Sequence, residues 1–292
     1  MSRNNQDRLG AAFPDSAAMP PQNTKPTLDF ITPTELVDLP SEGKFYPQNH
    51  PLHNKKEIEI RFMTAKDEDI LTSESLLRKG VAIDRFVDNI IVNKQVNSSN
   101  LLIGDKNAII IAARISGYGA DYETQIVCPS CGTKSENVFD LNDKKVKTAD
   151  TSMEGVDNSD RGTFITELPL SKLKAEIRVL YGSDEKKFTE KLIAKSKTKS
   201  KVARRDTLIT DQIKNFLVSL NGLDDRALIN QFVDGMPAMD ARHLRKVYRE
   251  ITPDIKIVND FSCSQCSHEQ ELEVPFGADF FWPDSNVHAK GL

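Results

Sequence analysis

The sequence lacks the features that would place a protein in a membrane or outside the cell. None of its apolar runs approaches the roughly 18 residues needed to cross a bilayer, and no hydrophobic signal segment follows the polar start. It has only four cysteines among 292 residues, all in Cys-x-x-Cys pairs, which is typical of a reducing compartment. These absences predict a cytoplasmic protein without membrane contact.

The chain also has no surplus of positive charge. Its formal net charge is -4, which argues against a protein dedicated to binding nucleic acid. Hydrophobic residues make up 38% of the sequence, enough to build a core.

Sequences typical of common catalytic sites are absent as well. There is no Gly-x-x-x-x-Gly-Lys-Ser/Thr phosphate loop, no Gly-x-Ser-x-Gly elbow and no His-Glu-x-x-His pair. Gly117-Tyr-Gly119 lacks the third glycine of a dinucleotide fingerprint and follows a predicted helix. The sequence therefore predicts a protein that is not an enzyme and has no small-molecule substrate.

What the sequence does contain is two cysteine pairs, Cys128-Pro-Ser-Cys131 and Cys263-Ser-Gln-Cys266. A structural zinc ion takes four tetrahedral ligands, so the two pairs complete each other if the fold brings them together. We expect Cys128, Cys131, Cys263 and Cys266 to hold one structural zinc, with His268 as an exposed strand residue. The alternatives are a redox-active pair, disulfides, or a degenerate site that holds no metal.

An internal repeat makes the meeting of the two pairs plausible. Alternating segments flank each pair over residues 121–141 and 255–276, which predicts two hairpins with the cysteines at their tips. A helical apolar spacing precedes each hairpin, with Asp105 and Asp240 as the predicted N-caps of the two helices. Further upstream, Asn89 matches Asn215. Glu59-Ile-Arg61 followed by Asp67 matches Glu176-Ile-Arg178 followed by Asp184. This shared order predicts a duplication. The alternative is two unrelated stretches with common patterns.

The predicted fold class is α+β, with two duplicated half-domains that share one core and one zinc-ribbon-like site. A disordered N-terminal arm covers residues 1–28, where proline, serine, asparagine and glutamine leave little to bury. The first repeat covers 29–145, a polar linker 146–163 and the second repeat 164–292.

Two aromatic clusters are candidate contacts for a protein partner. Phe45 and Tyr46 lie among turn-forming residues, and Phe280, Phe281 and Trp282 lie near the C-terminus. Aromatic side chains dominate the energetics of both cores and interfaces. The C-terminal cluster therefore either closes the core of the second half or forms an exposed docking anchor.

The stretch 186–205 contains nine basic residues, a density suited to phosphate contacts. The alternative is a solvated helix end and loop, since no aromatic platform for bases accompanies it. A zinc-ribbon protein that uses this stretch to associate with nucleic acid is thus a second functional hypothesis, and a cysteine redox enzyme is a third.

The chain also resembles the family of T4-like bacteriophage baseplate hub proteins over roughly residues 35–285. The segments that carry the resemblance are Glu59-Ile-Arg-Phe-Met-Thr-Ala-Lys-Asp-Glu-Asp-Ile-Leu-Thr-Ser73, Leu76-Leu-Arg-Lys-Gly80, Gly104-Asp-Lys-Asn107, Arg114-Ile-Ser-Gly-Tyr-Gly119 leading into Cys128-Pro-Ser-Cys131, Leu39-Pro-Ser-Glu-Gly-Lys-Phe-Tyr-Pro47 and Phe280-Phe-Trp-Pro283.

The resemblance implies a non-enzymatic role in building the central hub of a phage tail, as a hub component or an assembly chaperone. Its implied partners are baseplate hub or tail-tube proteins, and its implied location is the host bacterial cytoplasm or the virion baseplate. The resemblance implies no catalytic residue in this chain. It gives no information about the arm 1–28 or the basic stretch 186–205.

Overall fold

The computed structural model describes residues 32–148, 153–158, 162–198, 208–274 and 278–281, without the side chains of 192–198, 208, 259, 278 and 279. From Pro33 onward the chain belongs to one compact unit. The predicted arm 1–28, Trp282 and the part of the basic stretch at 199–205 lie outside the described residues.

The first part of the chain forms a strand hairpin, a group of helices and a second hairpin. In strand β2 (Glu57–Arg61), Ile58 and Ile60 are buried while Glu57 and Glu59 are exposed, so an alternating sequence gives a strand with one face on the core. The elements are β1 (Thr34–Asp38), β2 (Glu57–Arg61), α1 (Ala65–Thr72), α2 (Glu74–Lys79), α3 (Ala82–Ile90), α4 (Ile103–Tyr118), β3 (Asp121–Val127) and β4 (Lys134–Asp140).

The second part also leads through strands and helices to a final hairpin, with more strands than the first. In helix α8 (Ala238–Ile251), Leu244, Val247 and Ile251 are buried at helical spacing, and the opposite face is charged. The elements are β5 (Lys144–Lys147), β6 (Val156–Asn158), β7 (Phe164–Glu167), β8 (Lys174–Ile177), α5 (Gly182–Thr198), α6 (Leu208–Phe216), β9 (Leu217–Leu220), α7 (Arg226–Gly235), α8 (Ala238–Ile251), β10 (Asp254–Ser262), β11 (Glu269–Glu273) and a 3-10 turn (Ala278–Phe281).

The strands form small antiparallel sheets. Two sheets are single pairs, β1 with β2 and β3 with β4; a third has the order β11-β10-β5 and a fourth the order β6-β7-β8-β9. The mixture of helices with small antiparallel sheets confirms the predicted combination of α and β structure. None of the helices in the described ranges has the length and apolar character needed to span a bilayer.

The two parts share one hydrophobic core. The rings of Phe45 and Phe164 lie 5.6 Å apart, and main-chain hydrogen bonds join Leu101 to Gly182 and Leu180 to Ile103. Buried side chains from both parts belong to the same cluster. The halves are therefore packed against each other through main chain as well as side chains.

The stretch predicted as a linker, 146–163, contributes strands where it is described. β5 crosses its start and pairs with β10, and β6 lies inside it and pairs with β7. Residues 149–152 and 159–161 lie outside the described residues. The polar sequence hid these strands because they are edge strands, whose stability comes from main-chain pairing and not from an apolar face.

Candidate metal centre

Each cysteine pair lies in the turn that joins two antiparallel strands, β3 to β4 and β10 to β11. In the first turn the N–H of Cys128 donates to the carbonyl of Thr133 at 2.9 Å. In the second the N–H of Cys263 donates to the carbonyl of His268, also at 2.9 Å. The two turns thus have the same main-chain geometry.

A left-handed residue follows the last cysteine of each turn. Gly132 has φ of 74° and Ser267 has φ of 53°, and their N–H groups donate to the carbonyls of Cys128 and Cys263. Glycine adopts this conformation without strain, whereas serine does so at a cost. The second turn therefore has the same shape as the first, with serine in place of glycine.

The two turns bring all four sulfur atoms together. The Sγ atoms of Cys128 and Cys266 are 3.7 Å apart, as are those of Cys131 and Cys263. All four lie within 4.8 Å of one another. Four Zn–S bonds of about 2.3 Å in a tetrahedron require sulfur separations of about 3.8 Å, so the donor set fits one tetrahedral ion.

The site is half shielded from solvent. Cys128 and Cys263 are buried with Phe261 in a small cluster, against which Ile126 and Leu272 pack, while Cys131 and Cys266 are exposed. This cluster is separate from the main core. The tips of the two hairpins thus contact each other through the four cysteines and a few apolar side chains.

The electrostatics of the sulfurs favour a cation among them. Hydrogen bonds from the side chain and backbone of Thr133 lower the pKa of Cys131 to about 6, and backbone N–H groups of Cys266 and Gln265 lower the pKa of Cys263. A backbone hydrogen bond from His268 lowers the pKa of Cys266, but the neighbouring sulfurs raise it to about 12. Thiolates this close repel one another, and a cation among them offsets that repulsion.

His268 does not join the sulfur cluster. Its ring Nε2 lies 3.2 Å from Oε1 of Gln270, and its main-chain carbonyl accepts the N–H of Cys263. The metal-ligand group found in the described residues consists of the four cysteines alone. The side chain is partly exposed on the way into β11.

The aromatic residues predicted as partner contacts are mostly inside the protein. Tyr46 is 2% exposed and donates its hydroxyl to Oδ2 of Asp105 at 2.7 Å. Phe280 and Phe281 are buried, so they are not an exposed anchor, but their rings contact Tyr122 and Phe86 of the first half instead of closing the core of the second. Phe45 is half-buried against Phe164. Of the predicted contacts in the described residues, only Phe45 keeps exposed surface.

Asp105 and Asp240 have a role that the sequence prediction missed. They are the third residues of α4 and α8, whose N-caps are Leu102 and Pro237, so the prediction of N-caps was wrong. Asp105 accepts the N–H of Ser41 at 3.0 Å, and Asp240 accepts that of Ser171 at 3.1 Å. Each buried carboxylate therefore holds a loop that is distant in sequence.

A second matched pair of contacts lies at the start of α1 and α5. Arg61 donates both terminal nitrogens to Asp67 at 2.6 and 2.8 Å. Arg178 does the same to Asp184 at 2.7 and 2.8 Å. Each aspartate also accepts the N–H of the residue three positions before it. The Arg61-to-Asp67 and Arg178-to-Asp184 spacings in the sequence were the signal for these pairs.

The comparison with protein families shows the family to which the chain belongs. A model of the family described as T4 bacteriophage base plate protein matches residues 34–282. The chain belongs to this family. No curated protein and no solved structure matches it. Membership of the base plate family indicates a structural role in the phage tail, with other phage structural proteins as the class of partner.

Proposed function

We propose that this base plate family protein acts in assembly of the baseplate hub, as a hub component or an assembly chaperone, through protein–protein contacts. The observation that carries the proposal is the family match over residues 34–282, which includes both cysteine hairpins and the whole shared core. Hub and tail-tube proteins are the proposed partners, without a small-molecule substrate. The proposed locations are the host cytoplasm during assembly and the virion baseplate afterwards.

The proposed metal is one structural zinc held by Cys128, Cys131, Cys263 and Cys266. The support is a donor set of four sulfurs at tetrahedral separations. Four thiolates leave no open position for water or substrate, so the ion would connect the two hairpins and not catalyse a reaction. This agrees with a role that does not involve an enzymatic activity.

The proposed origin of the fold is a duplication, with repeats at 29–145 and 164–292, a connecting stretch at 146–163 and the arm 1–28 outside both. Three kinds of matched contact support it: the two cysteine turns, the two Arg–Asp pairs and the two buried helix aspartates. Cys128 and Cys263 have the same separation along the chain as Asp105 and Asp240. Contacts of three types in the same order are difficult to explain by common patterns alone.

Co-expression with the hub and tail-tube subunits of the same phage tests the proposed function. The tagged full-length chain is purified with each subunit, and the complex is measured by size-exclusion chromatography with light scattering. We expect a defined complex with at least one of them. The Cys263→Ser variant tests the zinc contribution, with Ser264→Ala in the same turn as its control. Failure of every subunit to associate with the zinc-loaded chain would contradict the proposal.

A further inference from the structure

A groove of about 820 Å³ lies between α5, α6 and α8. Phe188 and Tyr248, both partly exposed, supply its aromatic surface, and the ring of Tyr248 is stacked on the buried ring of Phe216 with centroids 4.4 Å apart. One rim belongs to α8 and carries four exposed cations, namely Arg242, Arg245, Lys246 and Arg249. The groove thus combines aromatic surface with a strip of positive charge.

These four cations form no ion pair with any described residue. The two carboxylates that line the groove are already engaged, since Asp184 binds Arg178 and Glu185 binds Lys106. Like charges also stand four positions apart twice on α8, an arrangement that disfavours the helix. The chain therefore maintains a positive strip that its own described residues do not neutralise.

The equivalent face of the first half is covered. Arg114 precedes Cys128 by the same number of residues as Arg249 precedes Cys263. Nε of Arg114 donates to the carbonyl of Phe280 at 3.0 Å. The C-terminal turn Ala278–Phe281 therefore sits on the arginine of α4, and this arginine is fully buried.

A second anchor of that turn also has a counterpart in the groove. The ring of Phe281 meets the ring of Phe86 with centroids 4.9 Å apart. Phe86 precedes Asn89 by the same three positions as Gln212 precedes Asn215, and Gln212 lines the open groove. Arg114 and Phe86, two of the residues that hold the aromatic turn in the first half, thus have exposed counterparts in the second; the third, Tyr122, corresponds to the buried Ile257.

The segments of chain that follow the two hairpins take different courses. After β4 the chain forms β5, which pairs with β10, whereas the stretch after β11 leads to the turn Ala278–Phe281. The residues 199–207, which join α5 to α6 and lie outside the described residues, contain four further cations and one aspartate. Residues 1–31 and 282–292 each contain equal numbers of acidic and basic residues. Residues 149–160 contain four acidic residues but no aromatic ring, so none of these segments supplies acidic and aromatic side chains together with a net negative charge.

We infer that the groove binds an acidic segment with an aromatic side chain, supplied by another protein of the base plate. The aromatic ring lies against Phe188 and Tyr248, Arg249 donates to a main-chain carbonyl as Arg114 does, and the remaining cations pair with carboxylates. A nucleic acid is disfavoured because Asp184 and Glu185 line the same groove and the chain has a net charge of -4. This inference rests on the proposed function as a structural base plate protein.

The probe is a fluorescein-labelled peptide, EEADFFEE, built around the sequence of the turn that covers the first half. Its binding to the zinc-loaded full chain is measured by fluorescence anisotropy. We expect it to bind, and we expect about tenfold or more weaker binding for the neutral peptide QQANFFQQ and for EEADAAEE, which lacks the aromatic rings. The double variant Arg242→Glu/Arg245→Glu should weaken binding of EEADFFEE by about tenfold or more.

The control is Lys66→Glu/Lys79→Glu, which makes the same change in net charge on exposed helices of the first half. It should alter binding by no more than about twofold. Zinc content and thermal unfolding show whether each variant is folded. Absence of binding by EEADFFEE, or equal losses in both double variants, would overturn the inference.

Two further outcomes would reassign the groove. Tighter binding of a 20-nucleotide single-stranded DNA at the same cations would assign it to nucleic acid, and self-association lost in Arg242→Glu/Arg245→Glu would assign it to a second copy; either result overturns the inference. A hub complex that survives this double variant would refute the groove as its docking site while leaving the proposed function intact. Peptide binding without any hub complex would refute the proposed function alone.

Discussion

Cys128 and Cys266 stand 138 positions apart in the chain, yet their Sγ atoms are 3.7 Å apart in the fold. The contact crosses between the two hairpins, because the partner of each cysteine at this distance comes from the other pair. An ion at the centre of the cluster would therefore link the two hairpins to each other and not merely close each turn. Loss of either pair should affect both hairpins.

Metal content is the first prediction. The protein as purified should contain about one zinc per chain, because four thiolates satisfy one tetrahedral ion. Cys263→Ser should lose most of the zinc, and the exposed Ser264→Ala in the same turn should retain it. Mass spectrometry of the intact chain under native conditions measures both. About two zinc ions per chain, or retention of the metal by Cys263→Ser, would contradict a shared site.

A second prediction concerns His268. Its ring contacts Gln270, and its contribution to the turn is a main-chain carbonyl that any residue can supply. His268→Ala should therefore keep its zinc and its unfolding temperature within a few degrees of the parent. A variant that loses the metal would show that the ring, and not one of the cysteines, completes the coordination.

The sequence predicted the cysteine cluster because the spacing of metal ligands is local and diagnostic within each pair. The hairpins were predictable for the same reason, since alternation reports a strand with one covered face. Asp105 and Asp240 were not, because their hydrogen bonds join loops that only the tertiary fold brings near. β5 and β6 were missed because edge strands depend on main-chain pairing, which leaves little trace in polarity.

The groove lay beyond sequence reasoning for a related reason. Helical spacing shows that Arg242, Arg245 and Arg249 share one face, but an exposed basic face is usually only a solvated one. Its meaning depends on comparison with α4, where the buried Arg114 holds Phe280. That comparison needs the position of a C-terminal turn that is remote from both helices in the sequence.

Removal of the metal is the third prediction. The sulfur cluster and Phe261 form a small group separate from the main core, so a chelator should loosen the hairpins and leave the core folded. Hydrogen exchange should increase in β3, β4 and β11 while amides of α3 and α4 stay protected. Addition of zinc should restore protection, and addition of magnesium, which prefers oxygen ligands, should not. Uniform loss of protection across the chain would instead make the metal a requirement for the whole fold.

The fourth prediction concerns the acid sensitivity of the Arg61–Asp67 pair. Burial acts to raise the pKa of Asp67, but hydrogen bonds from Arg61, Thr64 and Asn89 outweigh it and lower the pKa to about 2. A lowered pKa in the folded state stabilises the protein above the ordinary value of about 3.9 and loses this effect as the pH falls toward the folded value. The contribution is about 2 kcal/mol.

Urea unfolding of the parent and of Asp67→Asn measures this effect. The difference in unfolding free energy between them should be largest near neutral pH and should shrink by about 2 kcal/mol between about pH 5 and about pH 2. Taking the difference removes the acid lability of the thiolates, which both proteins share. Asp69→Asn, at an exposed position of the same helix, should show little change. A constant difference across this range would mean that the pKa of Asp67 is not lowered.

The last prediction concerns the basic stretch 186–205 and nucleic acid. Lys186, Lys187 and Lys191 lie on α5. Their positions on the helix are compatible with a solvated face and with a phosphate-binding face, so a binding measurement must distinguish the two. Phosphate contacts release counterions, so true binding must weaken steeply as salt rises. We expect only weak binding of DNA and RNA, unchanged when Lys187 and Lys191 are replaced by glutamine, with Lys66→Gln/Lys79→Gln as the matched control. Binding with a steep salt dependence that these two lysines reduce would establish the nucleic-acid alternative.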